Sequence, residues 1–374
     1  MTLLADEHAE AVAEVRAIAR ERLVAVADAG PPGRVNRPLV RALAETGLLG
    51  RLFPEDATGR VSAVELCLLR EALAMECPEA ETALAVQGLG SYPILQSGGP
   101  SVVEAWRARV AAGGAVAAFA LTEPEAGSDA AALALRADRD GDGWRLTGEK
   151  LWISNAPGAD VYTVFARTTE GAGARGVTAF VVPGAADGLT GEALDLLAPH
   201  AVGRLVFDGV FVPAEHLLGE PDRGFRVAMA TLDLFRPSVG AFAVGMAQAA
   251  LDAALAWVGE RQAFGGRLRD LQAVSHKLAD MALAVHAARL LVRDAARSYD
   301  AGRPDIATRS AMAKLYATET AQRVIDDALQ LHGARGLQRG HLLERLYREV
   351  RATRIYEGAT EVQREIIARA LYRE

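Results

Sequence analysis

Near the middle of the chain stands the segment Leu121-Thr122-Glu123-Pro124-Glu125-Ala126-Gly127-Ser128-Asp129. Pro124 fixes one backbone angle, Gly127 permits a close approach of another group, and Thr122 and Ser128 offer hydroxyls beside free N–H groups. Such a segment suits backbone contact with a flat polar ligand better than it suits a core. Turns use the same residues for local reasons, so the segment alone is a weak signal.

Two helical regions flank a β region in the sequence pattern. From Leu3 to about Val116, and again from Gly224 onward, apolar residues recur at three- and four-residue spacing. From Ala118 to about Val212, β-branched and aromatic runs are bounded by glycine and proline, which predicts strands. The predicted strands lie at 144–147, 161–165, 177–182 and 205–212.

Glycine and proline also predict where the helices end. Gly265-Gly266, Gly302-Arg303-Pro304 and the pair Gly333 and Gly336 separate the later helices. Thr360 and Gln363 form a capping-box pattern, which predicts that Thr360 caps the last helix. The resulting domains are predicted to be an N-terminal α-helical domain at 1–117, a middle β domain at 118–218 and a C-terminal helical bundle at 219–374.

Composition narrows the class of protein. The chain has 374 residues, 51% hydrophobic and 24% charged, with a net charge of −7, as in a globular protein that does not take nucleic acid as its main partner. No run of about 18 apolar residues lacks charged or turn residues, so we expect no membrane span. The acidic first residues predict no secretory signal. Two cysteines, Cys67 and Cys77, are too few for a disulfide framework, and both are predicted to be buried or neutral in a reducing cytoplasm.

Two further blocks complete a recognisable set. Lys150-Leu151-Trp152-Ile153-Ser154-Asn155 follows the first segment, and Ile355-Tyr356-Glu357-Gly358 lies near the end. In this order the three blocks resemble the acyl-CoA dehydrogenase family of flavoproteins. The resemblance spans nearly the whole chain and is strongest over 118–155, 232–281 and 312–371.

That resemblance implies a mainly α fold with a middle β-barrel-like domain and a C-terminal four-helix bundle. It implies FAD bound between the β domain and the bundle, a homodimer or homotetramer, and an enzyme that oxidises an acyl-CoA thioester to its 2,3-enoyl form. It further implies an electron-transfer flavoprotein as the electron acceptor. The chemistry removes a weakly acidic α-proton while the β-hydride goes to flavin N5, and it needs a base kept away from water.

Glu357 matches the position of the family's base. Gly358 would let substrate and backbone approach closely, and Tyr356 would form a wall of the pocket. The alternative makes Glu357 a solvated carboxylate just ahead of a capped helix. In some branches of the family the base instead follows a Leu-Asp block, but here that position is Phe235, which cannot accept a proton.

The resemblance also assigns substrate contacts outside this block. Asp233 and Arg236 match positions that touch the CoA portion or flank the catalytic pocket, and Ser128 is a further substrate contact. The alternative makes Asp233 and Arg236 a salt-bridged helix start.

The cofactor contacts implied by the resemblance fall in two groups. Thr122 and Ser128 match groups that contact the flavin ring or pyrophosphate, and Ser154 matches the hydroxyl that faces flavin N5. Trp152 either contacts the ring or is an ordinary buried aromatic. The complete set is Leu121, Thr122, Gly127, Ser128, Trp152, Ile153, Ser154, Arg261, Phe264, Gln272, Gln330 and Gly333.

The second group concerns a neighbouring subunit. Arg261 and Phe264 match residues that grip the adenosine part of that subunit's FAD, and Gln272 and Gln330 match further dinucleotide contacts. An arginine suits a pyrophosphate through its forked donors, although exposed arginines usually do nothing specific.

Departures from the family pattern leave other functions open. Ala359 stands where the family usually has threonine, Gly333-Ala334-Arg335-Gly336 replaces the usual Gly-Gly-x-Gly, and the loop near Pro54–Val61 is shortened. The alternatives are an oxidase that uses O₂, a dehydrogenase of acyl groups tethered to a carrier protein in a biosynthetic pathway, and a non-catalytic thioester-binding scaffold. The histidines have no metal-ligand spacing, so no metal is expected.

Overall fold

The computed structural model describes residues 7–53 and 61–372, and the chain folds into two compact units. The first unit comprises the described parts of Met1–Arg20, Ser62–Glu81 and Asp233–Glu374. The second comprises the described parts of Glu21–Val61 and Thr82–Leu232. The shortened loop near Pro54–Val61 lies outside the described residues, except for Val61 itself.

Helices make up most of the described chain. In order they are α1 Ala9–Ile18, α2 Val24–Asp28, α3 Arg37–Glu45, α4 Ala63–Glu76, α5 Pro78–Ser97, α6 Pro100–Ala111, α7 Gly224–Glu260, α8 Gln272–Asp300, α9 Ile306–His332, α10 Leu342–Thr353 and α11 Thr360–Leu371. A π-helical turn at Ala19–Leu23 joins α1 to α2.

The first unit is built from long helices that pack closely. α9 packs against α8, α10 and α11, and α4 packs against α1 and α8. Gly240 on α7 allows close approach, because a Cβ atom there would lie 2.7 Å from the Val292 side chain on α8. The predicted breaks are confirmed, since α7 ends before Gly265, α8 ends before Gly302 and α9 ends before Gly333.

The predicted capping box is wrong. α11 begins at Thr360 with Ala359 as its N-cap residue, and no side chain caps it. The Thr360 hydroxyl instead donates to Glu319 Oε1 at 2.8 Å. The Gln363 amide donates to backbone carbonyls of the preceding turn, so neither side chain is free to cap the helix.

The second unit contains an eight-stranded sheet. Its strands are β1 Ala117–Ala120, β2 Arg136–Asp140, β3 Gly143–Ser154, β4 Val161–Arg167, β5 Val177–Pro183, β6 Leu189–Ala193, β7 Val202–Pro213 and β8 Leu217–Leu218, in the order β6-β7-β3-β2-β4-β5-β8, and β1 pairs with β4. The four predicted strands lie within β3, β4, β5 and β7. A short hairpin in the first unit, β9 Gln262–Ala263 and β10 Gly266–Arg267, completes the strands.

The expected fold class is confirmed, since the chain is mainly helical with a sheet in its middle part. One described helix, α7, is long and apolar enough to cross a membrane by length and composition, but 78% of its most apolar window is buried within the structure. That burial is typical of a core helix. Both cysteines are buried as predicted, and burial raises the pKa of the Cys67 thiol well above its usual range, so this thiol is neutral.

Candidate active site

The segment 121–129 forms a tight turn in the second unit. Glu123 and Ala126 exchange both backbone hydrogen bonds, each 3.2 Å long, across Pro124 and Glu125. Beyond this turn, Gly127 and Ser128 are exposed. A Cβ atom at Gly127 would meet no other atom within 4 Å, so nothing in the described chain requires glycine there.

A buried ion pair anchors this turn to β3. Lys150 is completely buried, and its ammonium donates to Glu123 Oε1 at 2.7 Å and to the Leu121 carbonyl at 2.9 Å. The Glu123 carboxylate also accepts the backbone N–H groups of Ala134 and Leu135, at 2.6 and 2.9 Å. Burial lowers the pKa of Lys150 to about 8, and the neighbouring Glu123 opposes this shift.

The block 150–155 contains a bulge that exposes an aromatic ring. β3 pairs regularly with β7 at Lys150 and at Ile153, but the register shifts between them. Trp152 lies in the bulge at φ +60° and is 54% exposed, so the alternative of an ordinary buried aromatic is wrong. Ile153 is buried and Ser154 is half-buried.

Three hydroxyls of this region have no partner within the described chain. Thr122, Ser128 and Ser154 make no side-chain hydrogen bond to another described residue. The Leu151 N–H donates to the Thr122 carbonyl at 3.0 Å, so Thr122 lies next to the strand that bears Trp152 and Ser154.

Glu357 lies in the first unit, in the turn between α10 and α11. Its φ is +51°, a left-handed conformation that is uncommon for any residue except glycine. Its Oε2 atom is buried and has no hydrogen-bond partner among the described residues. Glu357 is half-buried, and at least one of its carboxylate oxygens is shielded from solvent, unlike the fully solvated carboxylate of the alternative interpretation.

The turn is held through its carbonyl groups. Arg236 Nε donates to the Glu357 carbonyl at 3.3 Å, and Lys314 Nζ donates to the Gly358 carbonyl at 2.7 Å. Gln363 Nε2 donates to the Gly358 carbonyl at 2.9 Å. The backbone N–H of Glu357 makes no hydrogen bond within the described chain, so it remains available to a ligand.

Three cations act electrostatically on the Glu357 carboxylate. Burial raises the pKa of Glu357, while Arg70, Lys314 and Arg236 act in the opposite direction. Arg70 forms a buried ion pair with Glu81. A carboxylate with a raised pKa is a stronger base than a solvated one, which is the property that proton abstraction from carbon requires.

Asp233 and Arg236 form an ion pair at 3.5 Å on α7. The pair lies well inside α7, which begins at Gly224, so the alternative of a salt-bridged helix start is wrong as to position. Burial raises the pKa of Asp233, opposed by Arg236. Phe235 beside them is buried, and its side chain has no group that could accept a proton.

Two of the residues predicted to bind the dinucleotide, Arg261 and Gln330, lie near Trp257 of α7 or next to a residue that contacts it. The Trp257 indole donates to the Leu331 carbonyl at 3.1 Å, next to Gln330. The guanidinium carbons of Arg261 and Arg335 lie 5.9 and 5.3 Å from the Trp257 ring centroid. Neither arginine has a carboxylate partner among the described residues.

Two further members of the set are placed by local backbone geometry. Phe264 and Gly265 form the turn of the β9–β10 hairpin, with φ values of +54° and +82°. Phe264 is 91% exposed. Gly333 ends α9 at φ +61°, where glycine is favoured, and Gln272 is exposed at the start of α8.

Sequence reasoning missed Arg70, Glu81, Lys314 and Gln363. Each is fully or almost fully buried, and all four come from segments distant in sequence from the Glu357 block or from a position that was interpreted as a helix cap. The one feature of the sequence that could have drawn attention to Lys314 was the scarcity of lysine. Only three of the 41 basic residues are lysines, and two of these, Lys150 and Lys314, are completely buried.

Family models match most of the chain. The N-terminal domain of acyl-CoA dehydrogenase matches residues 5–114, the middle domain matches 118–210 and the C-terminal domain matches 222–372. The chain belongs to the acyl-CoA dehydrogenase family, as the sequence motifs indicated, and it is therefore an oxidoreductase.

The chain is similar to individual acyl-CoA dehydrogenases over most of their length. A probable acyl-CoA dehydrogenase fadE25 of Mycobacterium tuberculosis is 38% identical, covering 99% of this chain and 96% of the relative. The mitochondrial short-chain specific acyl-CoA dehydrogenase of Bos taurus is 40% identical, covering 88% of this chain and 81% of the relative. The solved structure of butyryl-CoA dehydrogenase from Megasphaera elsdenii has a TM-score of 0.91 and 33% identity, and it covers 100% of both chains.

We predict that Lys150→Met lowers the free energy of unfolding by about 3–5 kcal/mol, because it leaves the buried Glu123 carboxylate without its cation. Urea unfolding measures the change. The double variant Lys150→Met, Glu123→Gln should recover part of the loss, since it removes the unpaired charge. A loss below about 1 kcal/mol in the single variant, as for a surface pair, would contradict the anchoring role.

Proposed function

We propose that this chain is an FAD-dependent acyl-CoA dehydrogenase in which Glu357 removes the α-proton of the bound acyl thioester. The observation that carries the proposal is the Glu357 carboxylate itself, whose buried Oε2 lacks a partner among the described residues and lies on a strained turn. Strained backbone and unpaired buried polar atoms concentrate at functional sites. The alternative of a non-catalytic scaffold has less support, because binding alone does not require a strained turn that carries an unpaired buried carboxylate oxygen.

The residues of the second unit fit a flavin. The hydroxyls of Thr122, Ser128 and Ser154 lack described partners, and the Trp152 ring is exposed beside them. These groups, with Leu121, Gly127 and Ile153, would hold the ring and pyrophosphate. Members of the family are FAD-dependent, and FAD when bound accepts the β-hydride of the substrate.

The Glu357 turn would perform two tasks on the substrate. Oε2 would take the α-proton, and the unbonded backbone N–H of Glu357 would donate to the thioester oxygen, where negative charge develops as the proton leaves. Arg236 would hold the turn from α7, and Tyr356 and Gly358 would line the approach to the acyl group. Asp233 and Ser128 are proposed as further substrate contacts.

Short acyl groups are the substrates that we propose. The Arg70–Glu81 ion pair is buried in the same unit, Arg70 donates to Ser238 at 2.7 Å, and Arg70 interacts electrostatically with Tyr356 and Glu357. We propose that this ion pair borders the acyl site, where it would limit the apolar surface that a long acyl chain could cover. The Bos taurus relative is named as short-chain specific, which agrees with this proposal.

Family membership supports the remaining proposals. We propose an electron-transfer flavoprotein as acceptor, a cytoplasmic location, a homodimer or homotetramer, and the three-domain division at 1–117, 118–218 and 219–374. In an assembly of this kind Arg261, Phe264, Gln272, Gln330 and Gly333 would bind the adenosine part of a neighbouring subunit's FAD.

We predict that Glu357→Gln retains FAD but reduces the rate of flavin bleaching by acyl-CoA by a factor of about 10²–10⁴, because the amide cannot accept the proton. Stopped-flow absorbance measures the bleaching. In the unsubstituted protein, kcat/KM should fall at low pH with an apparent pKa above the ordinary glutamate value, since burial raises the pKa of Glu357 and the protonated base is inactive.

Glu365→Gln provides the matched control. Glu365 lies on α11 with its side chain 58% exposed and pairs with Arg369, so its loss should leave bleaching unchanged. Bleaching at a near-normal rate in Glu357→Gln would remove Glu357 as the base and with it the proposed mechanism.

A substrate panel tests the acyl group and its tether. The values of kcat/KM are compared for butyryl-, octanoyl- and palmitoyl-CoA. Butyryl-CoA should have the highest value, because the Arg70–Glu81 ion pair would leave little apolar surface for a longer acyl chain. A preference for palmitoyl-CoA would contradict the short-chain proposal. Faster turnover of a butyryl group on an acyl carrier protein, or peroxide release without a protein acceptor, would favour the carrier-tethered or the oxidase alternative.

We predict that Phe264→Ala lowers the FAD content and weakens self-association, while the unfolding temperature of the separated monomer is unchanged. The reason is that the Phe264 side chain is 91% exposed within one chain and gains contacts only from a partner. Sedimentation velocity and the FAD-to-protein ratio measure both effects. Tyr372→Ala, at an aromatic residue that is 86% exposed, is the control, and an equal effect of the two substitutions would contradict a specific role for Phe264.

A further inference from the structure

Lys314 is an unusual residue for this chain. The sequence contains 41 basic residues, of which only Lys150, Lys277 and Lys314 are lysines. Lys314 lies on α9 and is completely buried, although a lysine side chain is almost never fully buried unless it is paired. Its burial is therefore a feature that needs a physical explanation.

Lys314 is hydrogen-bonded to the turn that bears Glu357, the proposed base. Its ammonium donates to the Gly358 carbonyl at 2.7 Å, and Gln363 Nε2 donates to the same oxygen at 2.9 Å. Arg236 Nε donates to the carbonyl of Glu357 at 3.3 Å. Donors from α7, α9 and α11 thus occupy both carbonyls of the turn.

This turn requires external support. Glu357 has φ +51° and Gly358 has φ +97°, so two consecutive residues are left-handed. Such a conformation is unfavourable for glutamate and persists only when the surroundings impose it. A Cβ atom at Gly358 would lie 2.4 Å from Gln363 Nε2, which shows how closely these donors enclose the turn.

Lys314 also differs from the other two cations near Glu357. Arg70 is paired with Glu81, and Arg236 is paired with Asp233. Lys314 has no carboxylate within ion-pair distance among the described residues. Burial lowers the pKa of Lys314 to about 8, and the nearby Glu357 opposes this shift, so the ammonium is charged at neutral pH without an ion-pair partner of this kind.

We propose that Lys314 is a positioning residue for the base: its ammonium fixes the Gly358 carbonyl, and thereby the direction of the Glu357 carboxylate, and supplies the unshared positive charge that keeps this carboxylate ionised. The inference rests on the proposed function, because it assigns a role relative to Glu357. The ammonium is held 2.7 Å from the Gly358 carbonyl by a helix that is itself packed against three others, so its position is rigid.

Lys314→Met tests both parts of the role, because methionine keeps an unbranched apolar side chain nearly as long as that of lysine but lacks the donor and the charge. We expect kcat to fall about tenfold or more, since a displaced base is misaligned, while KM changes little. The acid limb of the kcat/KM pH profile should move by about one unit to higher pH, because loss of a nearby cation disfavours the carboxylate. A lysine that only joined α9 to the turn would change the unfolding temperature and leave the acid limb in place.

Two further variants separate charge from hydrogen bonding and guard against misfolding. Lys314→Arg keeps the charge, so its acid limb should stay near that of the unsubstituted protein even if kcat falls. Lys314→Gln keeps a donor and loses the charge, so its acid limb should move as in Lys314→Met. Lys277→Met is the matched control, because Lys277 pairs with Asp327 and is not one of the three cations that act on Glu357.

The outcomes distinguish this inference from the proposed function. If Glu357→Gln is inactive but no Lys314 variant moves the acid limb, Glu357 remains the base and the role of Lys314 is overturned. If Glu357→Gln bleaches normally, the proposed function itself is overturned. Unfolding temperatures and FAD content, measured for every variant, identify a loss of activity that comes from misfolding.

Discussion

The Oε2 atom of the Glu357 carboxylate is buried and receives no hydrogen bond from the described residues. Loss of hydration makes the group more basic, whereas the positive charges of Arg70, Arg236 and Lys314 keep it from becoming a permanently neutral acid. These three cations come from α4, α7 and α9, and two of them, Arg236 and Lys314, also donate hydrogen bonds to the carbonyls of the strained turn.

Much of the architecture could be predicted from local patterns. Glycine and proline marked the ends of α7, α8 and α9, and β-branched runs marked four of the strands, because these signals act within a few residues. β1 was not predicted as a strand, since Ala117–Ala120 is rich in alanine and lacks the β-branched pattern. The three sequence blocks identified the family because their residues are contiguous.

The donors and cations that act on the Glu357 turn could not be predicted in the same way. Arg70 and Lys314 are distant from Glu357 in sequence, so only the fold brings them to its turn. The capping-box prediction failed for a related reason: Thr360 and Gln363 have the right spacing, but tertiary partners take their hydrogen bonds. Trp152 had two possible roles in the sequence, and the bulge in β3 excluded the buried one.

The scarcity of lysine has a chemical consequence for a protein that handles activated acyl groups. Thioesters react spontaneously with free amines, and a solvated lysine is the usual nucleophile. Here Lys150 and Lys314 are enclosed, and Lys277 is engaged by Asp327, while nearly all surface cations are guanidinium groups that do not attack carbonyl carbon. The molecule consequently offers few side-chain amines to stray acylation by the very compounds that it is proposed to bind.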